Sequence, residues 1–158
     1  MKKLLLLVMA FVLSACTTIA NAGEPKNEVQ QAREKWQAAD ISHYRFNVHI
    51  SCFCVFTENM PLIVEVKDGE VVSMEYSTGN EIDPQLLELF DRYVTVDRLF
   101  DGIEKGFEVA GSDQGAADKV TVEYDATYGF PTKIDIYFVE EAIDDELYLA
   151  ISDFEALP

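Results

Sequence analysis

Tyr44-Arg45-Phe46-Asn47-Val48-His49-Ile50-Ser51-Cys52-Phe53-Cys54 is the stretch that decides the fold. Tyr44, Phe46, Val48, Ile50, Cys52 and Cys54 share one parity, and Arg45, Asn47, His49 and Ser51 share the other. Side chains alternate across a strand, so this segment is a strand with one buried and one wet face. Leu62, Val64 and Val66 alternate with Glu65 and Lys67, and Asp68-Gly69 supplies a tight hairpin before Val72, Met74 and Tyr76. Residues 44 to 76 therefore read as a three-stranded antiparallel meander.

The same pattern returns at the other end of the chain. Val120, Val122 and Tyr124 share a face, as do Ile134, Ile136 and Phe138, and Leu147, Leu149 and Ile151 form a final strand. Asp125 to Pro131 links the first two, with Gly129 free to take a positive φ. All six strands alternate and none is apolar throughout. That pattern excludes a parallel α/β core, whose strands are covered on both faces.

Helical spacing appears between and before these strands. Residues 27 to 39 carry Val29, Ala32, Trp36 and Ala39 on one stripe, and Trp36 is read as packing that helix on the sheet. Asp83-Pro84 makes a cap and first turn ahead of Leu86, Leu87, Leu89 and Phe90. Thr95 caps a further helix bearing Val96, Leu99, Phe100, Ile103 and Phe107. Gly102 and Gly106 weaken that helix by about 1 kcal/mol each relative to alanine, so close packing on the sheet is expected there. Residues 110 to 118 read as a loop. The expectation is an α+β fold with helices on one face of a twisted antiparallel sheet, in the order α-βββ-α(α)-βββ. Val64-Glu65-Val66-Lys67-Asp68-Gly69 and Val122-Glu123-Tyr124-Asp125 faintly echo each other, which makes a pseudo-repeat plausible.

The N-terminus addresses the chain. Lys2 and Lys3 precede the uncharged run Leu4 to Leu13, and Leu13-Ser14-Ala15-Cys16 has the form of a lipobox. Residues 1–15 are read as a lipoprotein signal, residues 16–26 as the lipidated Cys16 with a short tether, and residues 27–158 as one globular domain. Cleavage after Ala22 of Ala20-Asn21-Ala22 is the rival, giving a periplasmic or secreted protein. Two or three acyl chains make a lasting anchor at a cell or outer membrane, each buried methylene contributing about 0.8 kcal/mol. A ten-residue flexible tether reaches about 17 Å.

Charge narrows the partners. The chain has 12 basic and 29 acidic residues; two lysines and no acid lie in the leader, so the remainder carries 10 against 29, a net of −19. Nucleic acid is excluded, since its binding needs a basic face. The charge fits solubility, or a cationic partner.

Few residues point to chemistry. With Cys16 lipidated or removed, Cys52 and Cys54 form an even pair in an oxidising compartment. In a regular strand their Cα atoms would lie about 7 Å apart, so a disulfide needs a bulge or turn. Closing so small a loop contributes about 1.6 kcal/mol by the chain-entropy model. Such a bond either fixes a local kink or acts as an easily reduced redox pair. The acidic run Glu140, Glu141, Asp144, Asp145, Glu146 offers oxygens to a hard cation, with Asp144, Asp145 and Glu146 the weak metal candidates. It is not an EF-hand. There is no Gly-x-Ser-x-Gly elbow, and His43 and His49 are the only histidines. No catalytic residue and no cofactor is expected.

These residues together resemble a family of exported bacterial proteins known as domain of unknown function 6174. The resemblance runs from about Trp36 to Phe154. It rests on Ser51-Cys52-Phe53-Cys54, Val66-Lys67-Asp68-Gly69, Val96-Asp97-Arg98-Leu99-Phe100, Val122-Glu123-Tyr124-Asp125 with Tyr128-Gly129-Phe130-Pro131, and Asp144-Asp145-Glu146. The segment Ile82 to Tyr93 is longer than the family's usual connection. The resemblance implies export and architecture and no activity. It implies that Cys52 and Cys54 act together and that the Asp144-Asp145-Glu146 turn does more than solubilise. The expectation is a lipid-anchored, non-enzymatic module that binds or scaffolds an unknown envelope component. The alternatives are a thiol-disulfide or cation-dependent envelope enzyme and an inhibitor-like module.

Overall fold

The computed structural model describes residues 27–107, 116–139 and 146–158. The leader, Cys16, the tether, Asp144 and Asp145 lie outside the described residues. Helix α1 spans Glu28–Ala38 and is capped by the Asn27 side chain, which accepts from the Gln30 N–H at 2.9 Å. Strands β1 (His43–Ser51), β2 (Leu62–Lys67) and β3 (Glu70–Tyr76) follow. Helices α2 (Pro84–Asp91) and α3 (Val96–Lys105) come next, then β4 (Lys119–Tyr124), β5 (Pro131–Tyr137) and β6 (Glu146–Ala156). No helix among the described residues is long and apolar enough to cross a membrane.

The six strands form one antiparallel sheet in the order β3-β2-β1-β6-β5-β4. Two meanders lie side by side, joined where β1 pairs with β6. This is the expected α+β fold, with the expected element order. The two echoing segments end β2 and β4, the second strand of one meander and the first of the other, so they occupy different places in the sheet.

The inner face holds the core. Phe46, Val48, Leu62, Val64, Val66, Ile134 and Ile136 have no exposed surface, as parity requires. Leu147 and Leu149 continue it on β6, and Asp153 (φ 51) then forms a bulge between the Asn47–Ser152 and Arg45–Glu155 pairs. The extra residue flips the parity, so Phe154 also faces inward. It stacks on Phe130 (centroids 4.5 Å) and Tyr44 (5.6 Å) and meets Trp36 edge-on at 5.9 Å. Trp36 packs α1 on the sheet through Tyr44 and Phe130.

The caps of α2 and α3 hold as the residues suggest. Asp83 accepts from the Gln85 N–H at 2.9 Å and Thr95 from the Arg98 N–H at 3.2 Å. The two glycines of α3 act differently from expectation. Gly106 (φ 86) is the left-handed C-cap, where only glycine is free of strain. A Cβ on Gly102 would lie 2.3 Å from the Phe107 ring, so the chain folding back over the helix, not the sheet, demands it.

Candidate functional site

β1 ends at Ser51, and the chain turns at Cys52-Phe53-Cys54. The strand therefore stops three residues before its alternation does. The Cys54 N–H donates to the Cys52 carbonyl at 2.8 Å, and the Thr57 hydroxyl donates to the same carbonyl at 3.2 Å. Tight turning brings the two Cα atoms to 5.1 Å, within disulfide range, and Cys52 is bonded to Cys54. Both cysteines are half-buried against the core, while Phe53 is 92% and Val55 94% exposed. Phe56, the next residue, is buried and meets Phe90 of α2 edge-on at 5.0 Å. The turn is held by the disulfide on one side and by Phe56 on the other, and it presents two large apolar side chains to water.

Sequence reading singled out the cysteines and missed the residues between and beside them. A signal was there. Arg45, Asn47, His49 and Ser51 hold the polar parity, and Phe53 and Val55 continue it with apolar side chains.

A small cavity of about 180 Å³ opens at the turn, lined by Ser51, Cys52, Phe53, Glu146 and Tyr148. Glu146 is thus the one member of the proposed acidic trio that can be placed. It sits beside the disulfide, on the first residue of β6. The wet face runs on from there. Tyr148 lies opposite Asp135 in register and crosses Tyr137 edge-on at 6.3 Å. Asp135 accepts from Lys133 Nζ at 2.9 Å and Thr121 Oγ1 at 3.4 Å through Oδ2. Its Oδ1 is enclosed without a hydrogen-bond partner among the described residues. Desolvation pushes the Tyr148 phenol up to about 12, helped by its hydrogen bond with Tyr137 and the charges of Glu146 and Asp135.

Among the described residues no group of three or more His, Cys, Asp or Glu side chains could hold a metal ion. His49 is exposed on the wet face, away from the side the cysteines take. His43 lies at the far end of β1, between Glu65 (2.9 Å) and the Pro158 carbonyl (3.0 Å), which together raise its pKa.

A larger cavity, about 410 Å³, lies along α3 and includes Arg98, Lys105, Tyr93 and Phe107. It gathers three of the chain's cations, but Arg98 pairs with Asp91 at 2.5 Å and Lys105 with Asp101 at 3.4 Å. Arg33 reaches the same Asp101 from α1 and holds its carboxyl below the usual range. These charges answer one another and staple α1 to α3.

Fold and site define a helix-backed antiparallel sheet whose sharpest surface feature is a cross-linked apolar turn. The chain belongs to the family of unknown function DUF6174, whose model matches residues 28–156, nearly all of the described domain. No curated protein and no solved structure matches it.

Proposed function

We propose that this chain is a non-enzymatic binding module, tethered in the bacterial envelope through Cys16, that grips a partner with the Cys52–Val55 turn. The observation that carries this reading is the exposure of Phe53 and Val55 on a cross-linked turn, directly after a strand whose inward residues are wholly buried. Scattered exposed apolar residues need no explanation, but two on one braced turn, flanking Cys54, form a preformed contact point. Burying such side chains contributes about 1.5–3 kcal/mol each. A turn already held in shape loses little freedom on binding. The same geometry suits an inhibitor-like module, in which the projecting ring fills a partner's cleft.

The redox alternative has less behind it. A working thiol pair needs a neighbouring positive charge to stabilise the thiolate. Here the charged group lining the cavity beside Cys52 is the carboxylate of Glu146, which disfavours a thiolate. The disulfide on this reading is a brace.

A photo-crosslinking residue at position 53 in the native envelope tests the proposal. It should give one discrete adduct that vanishes when Val55→Ser is added. No adduct, or one indifferent to Val55, sinks it. The intact mass of the exported chain should show a diacylated cysteine at position 16; an unmodified thiol removes the tether. Thiol titration with and without denaturant should find Cys52 and Cys54 unreactive in both.

A further inference from the structure

The sheet has two edges, and they are built differently. β3 bounds one side and β4 the other. An edge strand turns backbone N–H and C=O groups toward water, where another chain can pair with them. β3 carries Glu70 and Glu75 and no base, and a bulge in its pairing with β2 leaves Val72 out of register and 59% exposed. Two β3 strands laid antiparallel could set those acids only against neutral residues or against each other. Acids and bulges of this kind keep an edge from pairing. β4 is different. It reads Lys119-Val120-Thr121-Val122-Glu123-Tyr124, with one charge of each sign equally spaced about Thr121. Asp118 donates to the Phe138 carbonyl at 3.4 Å, so the alternation of an antiparallel ladder turns the N–H and C=O of Thr121 away from β5. Among the described residues no backbone group meets Thr121 on that side. The Glu123 carbonyl, further along, accepts from the Thr132 hydroxyl at 3.2 Å.

We propose that β4 pairs antiparallel with β4 of a second copy of this chain, about a two-fold axis at Thr121. In that register Thr121 faces Thr121, and Lys119 faces Glu123 and Val120 faces Val122 twice over. The pairing of β4 with β5 extends each row. On the wet face Glu123 stands 3.9 Å from Lys133, and Lys119 Nζ lies 5.5 Å from the Tyr137 ring centroid. The row therefore runs Lys133, Glu123, then Lys119 and Tyr137 of the second copy, with charges of alternating sign. On the core side Ile134 and Val122 meet Val120 and Ile136 of the second copy. Val120 and Val122 are only half-buried in one chain, and the second copy completes their cover. Opposite charges and β-branched pairs directly across a ladder both stabilise it. Each chain is acidic overall, but that repulsion is spread over the surface and screened within about 8 Å at physiological salt, whereas these pairs touch. The pairing turns the copies end for end. Lys119 lies at the Ser51 end of the sheet, so the two Cys52–Val55 turns project from opposite ends of the joined sheet.

The test uses the full exported chain in detergent and reads its mass by sedimentation. The parent should sediment as a dimer. Lys119→Glu sets two acids against each other across the axis, Glu123→Lys sets two bases, and each should weaken the dimer by about fivefold or more. The two changes combined restore opposite charges and should recover most of the loss. The single variants move the net charge in opposite directions, so two losses followed by recovery identify the register and not the overall charge. A monomeric parent, or a double variant no better than the singles, overturns the proposal. A second measurement is independent of these charges. Facing Thr121 Cα atoms in a hydrogen-bonded pair lie about 5.5 Å apart, within disulfide range. Thr121→Cys should give a covalent dimer on a non-reducing gel after air oxidation, above the parent's own level, and Ser73→Cys on β3 should not. No crosslink at position 121 overturns the register, and equal crosslinking at 121 and 73 reduces the contact to random collision. Dimer formation that persists when the position-53 crosslink is lost separates this inference from the binding reading above.

Discussion

The two ends of β1 handle the same kinds of side chain in opposite ways. At the His43 end, Tyr44 stacks on Phe46 and is covered by Trp36 of α1 and Phe154 of β6, both of which meet Phe130 of the β4–β5 connection. At the Ser51 end, Phe53 and Val55 have no such cover, and a covalent bond does the holding instead. Packing orders the first end because a second layer arrives there. The second end is ordered by the disulfide and by buried Phe56, and Phe53 and Val55 take no part in that packing, so their apolar surface stays available. The contrast separates residues that stabilise the fold from residues that await a contact.

The largest effect should come from the closed end. Trp36→Ala removes the ring that meets Tyr44, Phe130 and Phe154 together, and should cost about 3–5 kcal/mol in urea unfolding. Phe53→Ser should change stability by no more than about 0.5 kcal/mol, as exposed substitutions do. Similar losses for the two variants would erase the distinction between the ends.

Tyr44→Phe is a finer cut at the same end. The Tyr44 hydroxyl accepts from the Val96 N–H at 3.1 Å, so a sheet residue caps the first turn of α3. Val96 is fully buried, and removing the acceptor strands its N–H. The expected loss is about 1–3 kcal/mol. Amide hydrogen exchange at Val96 should quicken before that of β1; exchange unchanged at Val96 would mean that another acceptor takes over.

How much of this contrast the sequence discloses follows from the range of each interaction. The inner parity of β1 and β2 is local, and it reads directly from Tyr44 to Ile50 and from Leu62 to Val66. The Asp83 and Thr95 caps are local too. The pairing of β1 with β6 joins residues about a hundred positions apart, and nothing near Val48 names Ile151 as its partner. The bulge at Asp153 is equally hidden, because Phe154 falls on the wrong parity until the extra residue is known. At the open end alternation carried the strand through Cys54, while the geometry of a disulfide at this spacing already called for a turn, and the chain makes that turn. Of the five acids from 140 to 146 only Glu146 is described, and it lies beside an aromatic ring and the disulfide.

Removing the brace sharpens the comparison at the open end. Cys52→Ser with Cys54→Ser should lower stability by at most about 1.6 kcal/mol, since the bond closes a very short loop. The binding at Phe53 should fall further than the stability, because a loosened turn must be ordered again on contact. A double variant that binds as tightly as the parent would show that Phe56 alone holds the turn.

The smallest effect, a pH dependence, belongs to the closed end. Nδ1 of His43 faces the Pro158 carbonyl and Nε2 faces the Glu65 carboxylate, both acceptors, so both ring nitrogens donate only in the protonated imidazolium. The bond to Glu65 raises the pKa most, the Pro158 carbonyl adds to it, and burial and Lys67 oppose them. A raised folded pKa means that the folded state holds its proton longer than the unfolded chain does. The contribution is complete below about pH 6.5, the unfolded value, and is lost as pH rises through the folded one. Asp101 is shifted the other way by Arg33, below the usual carboxylate range, so it stays outside this window. Urea midpoints should therefore fall between pH 6 and pH 8 in the parent and stay flatter in His43→Gln. A parent and variant with the same slope would place the pH-sensitive group elsewhere and free the closed end of its clamp.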